Sequence, residues 1–326
     1  MPFLLRIDPM VRLLVVAGLL ASVVPAVGSA RSVAQGVSNA AIFLLFFLNG
    51  LRLPRGEVVR GIAHWRFLVP LTLWCLGAMA LLGLGLATGL SGRVPPLVAL
   101  GFLYLGVLPS TVQSATAYSS LAGGNVASSV VAAALLNILG VFVSAPLFAA
   151  LGGGGAVSLG ADGLVKVIAI LIVPFAIGQA LQTRLAKWTG TNRALVTWMD
   201  RLSIAIAVYV AMSGAVEQGL WVRVSPTEWA VLLAGVVSML IAAFAGAWLV
   251  AGALGLDRPD RIAFLFAGAH KSVAMGAPLA AVLFPPAIAG MVLLPLLAYH
   301  LLQLVASAPL ANRLARHLQN TPARSG

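Results

Sequence analysis

The sequence predicts an all-α membrane protein of about ten transmembrane helices, arranged as two inverted five-helix repeats with a discontinuous fourth helix in each. Three observations predict it. The chain is 61% hydrophobic and only 9% charged over 326 residues, where soluble domains carry about 25% charged residues, and its mean hydropathy is +1.04. Its apolar residues come in continuous runs rich in Leu, Ala, Val and Gly, not in the alternation that marks a membrane barrel. Two of those runs, at corresponding positions in the two halves, are interrupted by proline, glycine and polar side chains, at 104–125 and 266–286.

A window of about 19 residues places spans at 10–28, 35–51, 66–88, 95–120, 126–150, 164–183, 199–217, 228–254, 262–285 and 288–311. The first follows Arg6 and Arg12 and ends near Gly28-Ser29-Ala30, the outline of a signal peptide. With further spans behind it, it reads as a retained first helix and signal anchor. Breaks are expected at RLPRGEVVRGIAHWR (52–66), at the glycine-rich GGGGAVSLGADG (152–163) that divides the halves, and at TRLAKWTGTNR (183–193). The linkers are short, so residues 1–326 form one membrane domain, with repeat one at about 8–151 and repeat two at about 162–312. The remainder, 313–326, is a cytoplasmic tail ending in NTPARSG, which reads as disordered.

The formal charge of +12 comes from 20 basic and 8 acidic residues. With the N-terminus inside, fifteen of the Lys/Arg fall in cytoplasmic segments. Arg31, Arg93, Lys166 and Arg223 fall outside, and Lys271 lies within a span. That asymmetry predicts an inner-membrane protein with both termini cytoplasmic. It explains the basic charge without nucleic acid; the lipid bilayer is the partner it implies. The carboxylates all fall at loops or helix ends, which argues against an intramembrane Asp/Glu proton relay. Cys75 is the single cysteine, so an intrachain disulfide and a cysteine metal cluster are excluded. It reads as a small apolar residue within a span.

The first interrupted run is YLGVLPSTVQSATAYSSLAGGN (104–125). Pro109 removes a helix hydrogen bond and disfavours helical geometry at Leu108, and Ser110, Thr111, Gln113, Ser114 and Thr116 follow it. The second is FAGAHKSVAMGAPLAAVLFPP (266–286), where Gly268, Gly276 and Pro278 surround His270-Lys271-Ser272. A helix broken inside a membrane exposes N–H and C=O groups that only protein or a water-filled cavity satisfies. Half-helix N-termini then attract anions, and freed carbonyls and hydroxyls suit cations. Asn125 is placed to cap the fifth helix. Tyr299-His300 and Gln303 lie on the tenth span, where a spacing of three or four residues puts Tyr299 or His300 on one face with Gln303. Asn137 reads as interhelical hydrogen-bonding glue.

A lysine at membrane depth costs several kcal/mol. Three readings of Lys271 stay open: a substitute for a coupling cation that also holds an anionic substrate, a proton carrier, or a structural pin on freed carbonyls. Enzyme motifs are absent: the sequence has no HExxH, P-loop or GxSxG. A Ser–Lys dyad from Lys271-Ser272 is geometrically poor, because adjacent helical residues point about 100° apart. No catalytic residue and no cofactor are expected.

PSTVQSA…LAGGN (109–125), GAHKSVAMGAPLA (268–280), LLPLLAYHLLQL (293–304) and FLLFFLNGLRL (43–53) with HWR (64–66) together resemble the bile acid:sodium symporter superfamily. They most resemble its SBF-like branch, typified by member seven of solute carrier family ten. The resemblance covers essentially the whole chain. It implies ten helices in a panel and a core that holds two crossed, broken helices, and a symporter of a small organic anion with Na⁺ as a candidate coupling ion. In the bile-acid branch the second crossover helix carries a glutamate and then a Gln-Asn pair that take part in sodium sites; here Phe266 and His270-Lys271 stand at those positions. Ala115 stands where that branch has a sodium-ligating polar residue, which leaves Ser114, Thr116 and Ser129 as candidate Na⁺ ligands. Proton coupling, uncoupled transport and a non-transporting scaffold on the same fold are the alternatives.

Overall fold

The computed structural model describes residues 9–52, 64–152, 165 and 168–319. Arg6, the loop arginines Arg55 and Arg60, Lys166, nearly all of the glycine-rich divider and the tail from 320 lie outside the described residues.

Among the described residues the chain is all helix and has no strand. Helix α1 is Pro9–Val23, α2 Ser29–Arg52, α3 Trp65–Gly89, α4 Pro96–Val107, α5 Gln113–Leu121 and α6 Val126–Leu151. Then come α7 Ile168–Thr191, α8 Arg193–Glu217, the single turn α9 Leu220–Arg223, α10 Pro226–Ala253, α11 Arg258–Ala269, α12 Val273–Leu283 and α13 Pro286–Gln319. Eight segments are long and apolar enough to cross a membrane: α2, α3, α6, α7, α8, α10, the α11–α12 stretch and α13; α1 and α4 are shorter apolar helices. Helix α4 is short because Pro109 takes Leu108 out of helical geometry.

Several helices outrun their apolar windows. The break expected at 183–193 is helical through Thr191, and Asn192 alone separates α7 from α8. Hydropathy senses where lipid is, whereas the polar residues here form helix perfectly well once past it. Helix α2 likewise begins at Ser29, six residues before its apolar stretch.

Two groups of helices emerge from the packing. In one, α2 lies along α7 and α8, and α1 along α8. Gly50 and Gly178 permit the α2–α7 contact: a Cβ on Gly50 would strike the Phe175 carbonyl, and one on Gly178 the Phe47 carbonyl. Arg31 pairs with Glu217 and Arg52 with Asp200, tying the antiparallel α2 and α8 at both ends. In the other group α3 packs on α4, α10 on α11, and α5 and α6 on α11. Helix α13 joins the groups by packing on both α4 and α8, and Gly290 of α13 brings its backbone against Ala211 of α8.

Candidate functional site: two broken helices crossing at Lys271

Helices α4 and α11 have 12 residues each, and each carries proline in its first turn. Each stops at an extended residue: Leu108 with φ −77° and ψ 147°, His270 with φ −81° and ψ 141°. The causes differ. Pro109 forces the residue before it out of helical geometry. At the second break Ser272 opens α12 as its N-cap, with Oγ accepting from the Met275 N–H at 3.1 Å, and an N-cap residue is itself non-helical. The two breaks touch directly, because the Ser272 N–H donates to the Pro109 carbonyl at 3.0 Å.

Breaking α4 releases a row of carbonyls in a region where nothing is exposed to water. Five in succession find donors. Gly106 and Leu108 accept from Lys271 Nζ at 2.8 and 2.7 Å. Val107 accepts from Ser144 Oγ at 2.8 Å and Ser110 from Asn137 Nδ2 at 3.0 Å, and Pro109 takes the Ser272 N–H. On the other broken helix Tyr299 donates its hydroxyl to the Ala269 carbonyl at 2.6 Å. Gln303 accepts from the Lys271 N–H at 2.8 Å and donates Nε2 to the Lys271 carbonyl at 3.1 Å. A buried unpaired carbonyl or amide costs about 1–3 kcal/mol, so this pairing is what allows two breaks to sit inside the protein.

The third acceptor of Lys271 Nζ is the Cys75 carbonyl at 2.8 Å. It is presented by a π-helical turn, Leu73–Ala78, inside α3. Such a turn widens the helix by one residue and recurs at functional sites. Lys271 is fully buried, and its three N–H groups meet three main-chain oxygens from α3, α4 and the residue after α4.

His270 lies in a second polar chain. Its Nδ1 is 3.0 Å from Ser114 Oγ and 3.3 Å from Thr111 Oγ1, and those hydroxyls are 2.6 Å apart. Its Nε2 is 2.8 Å from Ser307 Oγ, which donates onward to the Gln303 carbonyl at 2.6 Å. Because Ser307 spends its proton on that carbonyl, Nε2 is the donor to Ser307, and in the neutral ring Nδ1 accepts from Ser114 or Thr111. The rings of Tyr118, Phe244 and Phe266 stand edge-on around the imidazole at 5.8–6.1 Å.

The crossing therefore gathers Ser110, Thr111, Ser114, His270, Lys271, Ser272, Tyr299 and Gln303, with His300 attached through Gln303 Nε2 to Nδ1 at 2.8 Å. Other residues singled out in the sequence stand apart from it. Gln113 is exposed. Thr116 and Ser129 make their own contact at 3.4 Å. Asn125 caps α6 through the Ser128 N–H at 3.0 Å and donates to Asp260 Oδ1 at 2.8 Å. Sequence reasoning passed over Ser307, Ser144, Tyr118 and the Cys75 carbonyl. Ser307 was findable, since Tyr299, Gln303 and Ser307 fall at four-residue spacing on one helix face.

The profile of the SBF-like CPA transporter family matches residues 8–316. The chain belongs to that family. Its relatives include an uncharacterized protein of Pseudomonas aeruginosa, 38% identical over 95% of this chain and 93% of its own. They also include "Putative symporter YfeH" of Escherichia coli, 36% identical over 98% of this chain and 96% of its own. The mouse protein named sodium/bile acid cotransporter 7 is 23% identical over 84% of this chain and 82% of its own. A multi-pass membrane protein of the bile acid:sodium symporter type is what the helices and these relatives together support.

Sodium is the ion that the names in this SBF-like family bring up, and the donor set at the crossing does not fit it. The freed carbonyls that would surround a cation are already bonded, those of Gly106 and Leu108 to Lys271 Nζ and those of Val107, Pro109 and Ser110 to Ser144, Ser272 and Asn137. The neighbouring Phe266, fully buried, has no oxygen to offer. Among the described residues no three His, Cys, Asp or Glu side chains come together as they would to hold a metal ion. Away from the crossing, Thr116 and Ser129 provide two hydroxyl oxygens.

Proposed function

We propose that the chain is a ten-helix secondary transporter built from two inverted five-helix repeats, and that it carries a small organic anion across the bacterial inner membrane by alternating access. Both termini lie in the cytoplasm. One observation carries the reading: two 12-residue half-helices end in the same extended geometry and bond to one another in a buried polar cluster. Crossed broken helices of this kind are where secondary transporters hold their cargo. The division of the packing supports it, with α1, α2, α7 and α8 forming a panel against which the crossing and its neighbours move. The polar cluster would serve binding and positioning.

Flux of radiolabelled organic anions into proteoliposomes tests the proposal, with Na⁺ gradient, pH gradient and no gradient as separate arms. Uptake of at least one anion is expected; a protein that moves none while folded and correctly inserted would be a scaffold on a transporter fold. Sodium stimulation would point to Thr116 and Ser129 in a site away from the crossing. The His270 chain, whose hydroxyls and imidazole run from Thr111 to the Gln303 carbonyl, favours a protonic alternative, which would show as flux that follows the pH gradient.

A further inference from the structure

We propose that the Lys271 ammonium is a tethered cation that joins the two broken helices in place of a mobile alkali ion, so that the crossing point neither binds nor needs Na⁺. The inference rests on the crossing being the core of the transporter proposed above.

An ammonium has three N–H groups and no acceptor, and three carbonyl oxygens lie 2.7–2.8 Å from Nζ. A neutral amine would have two donors and would turn its lone pair toward the third oxygen. The geometry is therefore that of the charged form. A cage of main-chain carbonyls is also how proteins replace the hydration shell of an alkali cation. Two of the three oxygens, on Gly106 and Leu108, close the C-terminal end of α4, where the aligned peptide dipoles leave negative charge. The third is supplied by the π-helical turn of α3. Lys271 itself sits between α11 and α12, so a single charge ties three parts of the chain together. Cys75, Gly106, Leu108 and Lys271 are all buried, and the four-carbon stem keeps the cation in place whatever salt surrounds the protein. The positions flanking it hold His270 and Ser272, and no carboxylate is among the groups bonded to Nζ.

Thermal melting of the purified full-length protein in NaCl, KCl and choline chloride at equal ionic strength tests this. For the wild type the three midpoints are expected to agree to about 1 °C, since an ion that does not bind the folded state does not shift it. Lys271→Ala is expected to lower the midpoint by at least about 5 °C. It should also make the midpoint cation-dependent, with ethylammonium or Na⁺ recovering part of the loss and choline, too large for the cage, recovering none. A wild-type midpoint raised by Na⁺ over choline, and still raised when Thr116 and Ser129 are both replaced by alanine, would overturn the proposal; a rise that disappears with those two hydroxyls places the ion away from the crossing and upholds it. So would Lys271→Met melting like the wild type, since that side chain fills the space without charge. If Lys271→Ala does not fold, the wild-type and Lys271→Met melts still decide. These melts use no substrate, so their outcome is separate from any failure of the flux assays.

Discussion

Gln303 clasps Lys271 by both main-chain groups, taking its N–H on Oε1 at 2.8 Å and giving Nε2 to its carbonyl at 3.1 Å. One amide side chain thereby replaces the two helix hydrogen bonds that the break removes, and only a group with a donor and an acceptor side by side has that capacity. Gln303→Ala should destabilise the protein by about 2–4 kcal/mol, since two buried backbone groups lose their partners. Gln303→Glu keeps the acceptor and loses the donor when ionised, so it should not restore wild-type stability. Thermal melting of the three proteins side by side gives the order; equal midpoints for wild type and Gln303→Ala would refute the clasp.

Tyr299→Phe removes one oxygen and leaves the ring. The Ala269 carbonyl, which accepts from that hydroxyl at 2.6 Å, then has no side-chain donor in a fully buried setting. A loss of about 1–3 kcal/mol is expected. Tyr299→Leu should cost more, because ring packing goes as well. Melting midpoints for the two variants separate the hydroxyl from the ring.

Gly106 has two duties. Its carbonyl accepts from Lys271, and its missing side chain lets α4 lie on α3, where a Cβ would come within 2.5 Å of the Met79 carbonyl. Backbone atoms cannot swing aside as a side-chain tip can. Gly106→Ala should therefore force the helices apart and cost about 1–3 kcal/mol or more. At Gly85 of α3, beyond the π-helical turn and with nothing within 4 Å of such a Cβ, the alanine variant should lose nothing and serves as the control in the same melts.

His270→Phe keeps an aromatic ring among Tyr118, Phe244 and Phe266 and removes both ring nitrogens. Ser307 retains its bond to the Gln303 carbonyl, so the fold should survive with a loss of about 1–2 kcal/mol. Proteoliposome flux of the transported anion should fall, because the polar chain that runs from Thr111 to the Gln303 carbonyl is interrupted at the imidazole. Flux equal to the wild type would remove His270 from the transport cycle.

The polar interruptions were legible because their causes are chemical and local: Pro109 denies helix to Leu108, and Ser272 is a ready N-cap. The pairing of the two breaks followed from their matching places in the halves. Asn137 read as interhelical glue, and it does bond across to the Ser110 carbonyl. The π-helical turn at Leu73–Ala78 left no trace in the sequence, since LWCLGA is as apolar as any other turn of the span and hydrophobicity does not encode one extra residue per turn. For the same reason Cys75 read as mere packing: what it contributes to Lys271 is a carbonyl, which every residue has. Helix ends such as Thr191 were misplaced because the bilayer's edge and the helix's edge are different boundaries.

The five successive carbonyls from Gly106 to Ser110 carry a wider consequence. An irregular stretch is the usual place to look for a hinge, yet every one of these groups is bonded, two to Lys271 Nζ and one each to Ser144, Ser272 and Asn137, as densely as a helix would bond it. Bending there would strip several bonds at once with no water to take them over. The crossing is built as a welded joint, so the proposed transport cycle would move it like a drawer in its frame: the joint would travel whole, past the surface where Gly290 meets Ala211.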